Sequence, residues 1–419
     1  MSVLDFDTWQ EIFATMRRNR LRTLMTAFGV FWGIFILIIL LAFGAALESG
    51  VSKSMRGFGT NQIYIWGGRT SHPYQGLKPG RRIRYDTSDI PAVQNIEGVA
   101  NVAPRVSLGG YRDTSNVSRK GKTGGFKVLG DYPDWGIIQP FEYYEGRFIN
   151  EIDIKEKRKV AVIGEQVYDI LFEKGEPAIG KSILIRNVYF EVVGRVHSTR
   201  SGGSADEDAT TIYIPFTTFQ QSFLQSTNHV HWFAISALEG FPPEEVDESV
   251  RSMLRERKKV HPEDTQAIQG FNAAEAAGKI NSLFGGIRLF MWVVGLATLF
   301  AGMLGVSNIM LIVVRERTKE IGIRKALGAR PWAIISHVMQ ESILLTLIAG
   351  YSGLLLAVAL SEVIGDVLEG SDMPLGRPEV DFAVALSALA ILVVAGAIAG
   401  FVPAKQAASI QPVEALRAE

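Results

Sequence analysis

Four stretches of the chain, residues 23–47, 289–314, 342–361 and 382–404, carry no charged side chain and are almost wholly apolar. Each reaches the roughly 20 residues that a helix needs to cross the hydrocarbon core of a bilayer. Buried helices of globular domains seldom run so far without a charge, so the pattern predicts four transmembrane helices. The first stretch is too long for a cleaved signal peptide, and no A-x-A site follows it.

Residues 48–288 follow another pattern. Segments 61–67 (NQIYIWG), 159–164 (KVAVIG), 182–194 (SILIRNVYFEVVG) and 210–216 (TTIYIPF) alternate apolar with polar positions and read as strands. Residues 88–94, 165–172 and 243–259 have helical spacing. Residues 200–209 (RSGGSADEDA) read as an exposed, mobile loop. The insert is therefore a folded α+β domain, large enough for two lobes. At its edges Phe43, Leu47, Val51 and Met55 recur every four residues, and Ile280, Phe284 and Ile287 do much the same. Spans one and two are expected to continue outward as a paired helical stalk; a short interfacial turn on each side is the alternative.

Charge sets the orientation. Arg17, Arg18, Arg20 and Arg22 precede the first span, and Arg315, Arg317, Lys319, Arg324, Lys325 and Arg330 separate the second from the third. Residues 362–381 hold six acids and only Arg377. Basic loops stay in the cytoplasm, which places both termini and the 315–330 loop there and the insert outside. The expected architecture is a polytopic α-helical membrane protein, four transmembrane helices with a large α+β extracytoplasmic domain inserted between the first and second. In order it has a cytoplasmic amphipathic segment (1–22), TM1 (23–47), the extracytoplasmic domain (48–288), TM2 (289–314), a basic cytoplasmic segment (315–341), TM3 (342–361), an outer loop (362–381), TM4 (382–404) and a cytoplasmic tail (405–419).

Composition narrows the function classes. The 43 basic residues balance 43 acidic ones, so a general nucleic-acid binder is not expected. The absence of cysteine excludes thiolate metal sites and a cysteine nucleophile. A mean hydropathy of +0.16 averages apolar spans with a polar domain.

Several motifs carry little chemistry. Residues 175–182 (GEPAIGKS) satisfy the P-loop pattern, but the segment before them has helical spacing and the one after alternates like a strand. A P-loop needs the opposite order, so that amides and a helix N-terminus cradle phosphate. His229 and His231 would share one strand face, yet two ligands without a third make a weak metal site, and none is expected. No Ser/His/Asp grouping or carboxylate pair stands out, and the insert shows no pocket chemistry. Gly29-x-x-x-Gly33 and Gly396-x-x-x-Gly400 have the small-residue spacing of closely packed membrane helices. Glu341 falls at the membrane edge and needs a partner such as a cytoplasmic-side Arg, unless it simply hangs in water. The segment 315–335 leaves the second span, pauses at Gly322, forms an amphipathic turn with Ile321, Ile323 and Leu327, and breaks at Gly328 and Pro331. Physics alone leaves two readings open: a docking or interfacial helix, and a topogenic basic loop.

Residues 306–330 (VSNIMLIVVRERTKEIGIRKALGAR) and 401–419 (FVPAKQAASIQPVEALRAE) resemble the most specific motifs of one family. It is the permease subunits of MacB-type, FtsX-like ABC transporters, which include the lipoprotein-releasing LolC and LolE proteins. Residues 16–34 resemble the family's start of span one, and 143–149, 159–167 and 177–185 resemble its extracytoplasmic domain. The resemblance implies a homodimer or a pair of related permeases, working with a cytoplasmic ABC ATPase that holds ATP and Mg. This chain itself carries no cofactor and is a non-catalytic subunit. Substrate is not threaded through the membrane; ATP-driven movement passes along the stalk to the ectodomain. Arg315, Glu316, Arg317, Glu320, Gly322, Arg324, Lys325, Gly328 and Ala329 match the ATPase-coupling element. Only some twenty residues precede span one, so the ATPase is expected on a separate polypeptide, in a bacterial inner membrane. Export of a small amphiphile or peptide with a periplasmic adaptor and outer-membrane channel is the first expectation. Lipoprotein release and regulation of cell-envelope hydrolases are the alternatives. The aromatic start of span one (Phe28, Phe31, Trp32, Phe35) departs from the family pattern and has no functional account.

Overall fold

In a computed structural model, which describes residues 20–54, 59–108, 114–201, 203–224, 228–369 and 375–411, each apolar stretch lies within a longer helix. The four helices are Arg20–Ser54, Ala273–Glu316, Pro331–Glu369 and Phe382–Ser409. A charge-free run marks what fits in hydrocarbon; the helices end later, where caps and turns end them. The second helix thus begins at Ala273, taking in Ile280, Phe284 and Ile287. Arg17, Arg18, Met55 and the tail beyond Gln411 lie outside the described residues.

The chain divides into a membrane unit, residues 1–51 with 282–419, and an ectodomain, residues 52–281. In the membrane unit Val30, Ile34, Leu37, Leu299, Val306 and Leu392 form part of one buried cluster. Less than half of each helix's most apolar window is covered by protein, which leaves the rest for lipid. Glu48 and Arg288 pair at 2.6 Å between the first two helices. The aromatic residues at the start of span one stack on one another, with Trp32 and Phe35 ring centroids 5.2 Å apart. Asp381 caps the fourth helix by accepting from Ala383 N at 2.9 Å.

The ectodomain strands are β1 (Gln62–Gly67), β2 (Tyr85–Asp86), β3 (Val99–Ser107), β4 (Ser115–Arg119), β5 (Lys122–Asp131), β6 (Phe141–Gly146), β7 (Val160–Gly164), β8 (Ser182–Ile185), β9 (Val188–Ser198), β10 (Thr211–Pro215), β11 (His229–Val230), β12 (Trp232–Ala237) and β13 (Ile268–Asn272). Pairing runs β5–β10–β7–β9–β8–β4 and back to β5, which closes a ring of six strands. Closure removes the exposed edges of that sheet. From β5 the path continues through β3, β12 and β1 to β13 as an antiparallel sheet. Helix Pro243–Arg257 covers this second lobe. Its Val246, Val250 and Leu254 recur every four residues and are buried, each contributing about 1.5–3 kcal/mol.

Two local readings change. Segment 182–194 is a hairpin, because Arg186 (φ 39°) and Asn187 (φ 66°) adopt left-handed backbone and turn the chain between β8 and β9. Most of the expected mobile loop 200–209 is ordered: Gly203–Ala209 is helical, and Asp208 is buried. Ser198 Oγ donates to Asp208 at 2.6 Å, Tyr213 Oη donates at 3.0 Å, and Arg200 forks onto the same carboxylate. The polar run reads as solvated, yet β9 and β10 on either side of it bring Ser198 and Tyr213 onto Asp208.

Candidate functional site: the segment after the second span

The second span helix ends at Glu316, Arg317 leaves helical geometry (φ −94°, ψ 11°), and a short helix restarts over Thr318–Ala326. Thr318 Oγ1 donates to the Arg315 carbonyl at 2.7 Å across this break. At the far end Gly328 N donates to Lys325 O and Ala329 N to Arg324 O, both at 3.0 Å. This is the two-bond C-terminal cap in which the residue after the helix turns left-handed, and Gly328 does so at φ +93°. Pro331 then opens the third span helix, where its missing N–H costs nothing.

The nine residues of the expected coupling element fall into two groups. Arg315, Glu316, Glu320, Arg324 and Gly328 are exposed. Arg317, Lys325 and Ala329 are half-buried, and Gly322 is buried. Lys325 Nζ donates to the carbonyls of Ala408 at 2.6 Å and Ile410 at 2.8 Å. Arg317 Nη1 lies 3.5 Å from Oε2 of Glu341, which is 5% exposed. The membrane-edge acid thus has the cationic partner that its position demands. Outward stand Ile323, Leu327 (84% exposed) and Trp332 (73% exposed). Trp332 carries one sequence signal alone, an aromatic side chain directly after the helix-breaking Gly328 and Pro331.

The small-residue motifs sit at helix crossings. A Cβ on Gly29 would lie 3.3 Å from Gly302 Cα, and one on Gly33 3.0 Å from Leu299 Cα. Gly396 and Gly400 face the third span helix, where added Cβ atoms would lie 2.9 Å from Ile343 Cα and 2.8 Å from Ser342 Cβ. Ser342 Oγ donates to Gly396 O at 3.1 Å.

In the ectodomain, helix Glu165–Leu171 precedes residues 175–182 and β8 follows them, the reverse of a P-loop. His231 Nδ1 accepts from Ser107 N at 3.2 Å. No group of three or more metal-ligating side chains occurs among the described residues. The insert does, however, contain an open cavity of about 910 Å³, which no local sequence signal announces.

Four span helices, a strand-rich domain between the first two and a capped basic helix after the second define a membrane permease with an extracytoplasmic insert. The chain belongs to the MacB-like, FtsX-like ABC permease family: the MacB-like periplasmic core domain matches residues 23–253, and the FtsX-like permease C-terminal region matches residues 292–412. It is a multi-pass membrane protein. Among similar proteins is the pyoverdine export ATP-binding/permease protein PvdT of Pseudomonas entomophila, 30% identical over 98% of this chain and 59% of that one. Another is the macrolide export ATP-binding/permease protein MacB of Bdellovibrio bacteriovorus, 30% identical over 97% of this chain and 61% of that one. The chain spans about three-fifths of the length of these relatives. The periplasmic region of MacB from Actinobacillus actinomycetemcomitans aligns with 55% of this chain and 96% of its own, at 17% identity and a TM-score of 0.44.

Proposed function

We propose that the chain is the non-catalytic permease subunit of an inner-membrane export system. An ABC ATPase holding ATP and Mg docks on the 315–330 segment, and its closure moves the ectodomain through the continuous first and second span helices. On this reading both termini are cytoplasmic, two permease copies assemble, and a periplasmic adaptor with an outer-membrane channel carries a small amphiphile or peptide onward. The observation that carries it is the two-sided short helix. Gly322 is buried and Lys325 holds the helix to the membrane unit, while Ile323, Leu327 and Trp332 stand exposed among charges. Exposed apolar side chains rimmed by charge suit a partner's groove. The export names of the relatives support the direction of transport.

The test is Arg324→Glu in the full chain, co-expressed with its ATPase. Membrane insertion and yield should be retained while ATPase co-purification drops at least tenfold. Unchanged co-purification would sink the docking assignment.

A further inference from the structure

The ectodomain cavity has the volume of a small-molecule site, about 910 Å³ against the usual 300–1,000 Å³. Its walls come from β1, the extended segment before β2, β3, β5 and the β11–β12 run. Tyr64 and Trp66 lie on one face of β1 by strand alternation. Register sets Phe271 opposite Tyr64 and Trp232 opposite Trp66. These four rings make an aromatic wall.

The charges around the cavity are unevenly matched. Arg105 forks onto Asp131 at 2.6 and 2.8 Å, and its guanidinium stacks 3.6 Å above the Trp135 ring. Lys127 pairs with Glu207, and Arg200 with Asp208. Arg82 and Arg84 line the same cavity, are exposed, and have no carboxylate at ion-pair distance among the described residues. With Asp131 behind the wall counted as the partner of Arg105, Arg82 and Arg84 leave two positive charges in excess. His231 adds a third donor. Ser107 N–H donates to its Nδ1, so a neutral ring carries its proton on Nε2. The ring is held neutral because burial, then His229 and Arg82, push its pKa below the usual histidine value. Two of these ion pairs, Arg105–Asp131 and Arg200–Asp208, are buried, and burying them does little for stability, since desolvation offsets the attraction. Such an arrangement makes sense where polar groups must be held in place.

We propose that this cavity binds an anionic amphiphile, whose apolar or aromatic body lies on the Tyr64–Trp66–Trp232–Phe271 wall and whose carboxylate or phosphate meets Arg82 and Arg84. The inference does not rest on ATP-driven export: the site lies within the ectodomain and needs no partner to be assembled.

The experiment uses the full chain in phosphatidylcholine nanodiscs, without ATPase or nucleotide. Energy transfer from tryptophan to N-dansyl-phenylalanine, a carboxylate, is compared with transfer to its neutral amide. Saturable binding of the carboxylate about tenfold tighter than the amide is expected. Arg82→Gln combined with Arg84→Gln should abolish that preference and leave amide binding unchanged. Trp66→Ala should weaken both ligands, which separates the aromatic wall from the charge. Equal affinity for carboxylate and amide in the unaltered protein would overturn the proposal, as would a preference that survives loss of both arginines. A carboxylate signal that grows linearly, as simple partitioning into lipid does, would overturn it too.

Discussion

The ammonium group of Lys325 sits 2.6 Å from the carbonyl oxygen of Ala408 and donates to it. Ala408 lies in the last turn of the fourth span helix, where carbonyls lack intrahelical partners and the helix dipole favours a cation. Lys325 therefore ties the short helix to the rest of the membrane unit, while its neighbour Arg324 stands exposed. Two adjacent basic residues that look interchangeable in sequence have different surroundings.

Separate substitutions should tell the two apart. Lys325→Met removes charge-assisted hydrogen bonds and should destabilise the purified protein by about 1.5–3 kcal/mol, seen as a lower midpoint of thermal unfolding. Arg324→Ala should cost clearly less. Equal losses for the two variants would mean that the tether is not holding the helix.

The pair Arg317 and Glu341 predicts a non-additive result. Arg317→Met leaves the Glu341 carboxylate buried without its partner, a loss of about 3–5 kcal/mol. Combining it with Glu341→Met should restore much of the stability, because an apolar pair needs no desolvation. Thermal unfolding of both single variants and the double variant gives the cycle. A double variant less stable than Arg317→Met would refute the pairing.

The helix crossings make a steric prediction. Gly33→Val and Gly400→Val push a side chain into the backbone of Leu299 and the side chain of Ser342, and should lower the yield of folded protein in membranes. Gly285→Ala, with nothing within 4 Å of the added methyl, should be neutral or stabilise the helix by up to about 1 kcal/mol. A milder effect at Gly33 or Gly400 than at Gly285 would contradict the packing.

Acid stability of the ectodomain depends in part on Glu176. Hydrogen bonds from the Arg119 guanidinium, 2.6 and 3.0 Å long, hold its carboxyl down at about 2 against an ordinary value of 4.5. The folded state thus binds the proton less readily than the unfolded chain. The stabilisation is complete above about pH 4.5 and disappears as pH falls towards about 2. Glu176→Gln should lower stability at neutral pH and flatten its decline over that window, measured by urea unfolding at several pH values. An unchanged slope would remove this pair from the acid limb.

Orientation can be read chemically. The chain has no cysteine, so single cysteines placed at Lys174 and Ser409, both exposed, report one side each. An impermeant maleimide on intact spheroplasts should label the first and spare the second. Ser204 is a poorer choice than its polar surroundings suggest, since it lines the ectodomain cavity.

How much was legible in the sequence follows from the range of the interactions involved. A membrane span is a local property: some twenty residues must each tolerate hydrocarbon, and composition within residues 23–47 or 382–404 states this directly. The break at Gly328 and Pro331 is local too, because one residue's backbone freedom and the next helix's missing donor suffice. Strands β1, β7 and β10 and helix Pro243–Arg257 showed in their periodicity for the same reason. Tertiary structure decided everything that needed a distant partner. It separated Lys325 from Arg324 by bringing Ala408 alongside, and it gave Glu341 its arginine. Even Asp208, whose partners Ser198, Arg200 and Tyr213 are near in sequence, is buried only because β9, the short helix and β10 fold onto one another. The cavity is the extreme case: β1 meets β12 and β13 across most of the ectodomain's length, and only that pairing sets Tyr64 beside Phe271 and Trp66 beside Trp232. Side-chain period tells which face a residue takes, but not which strand will lie opposite it.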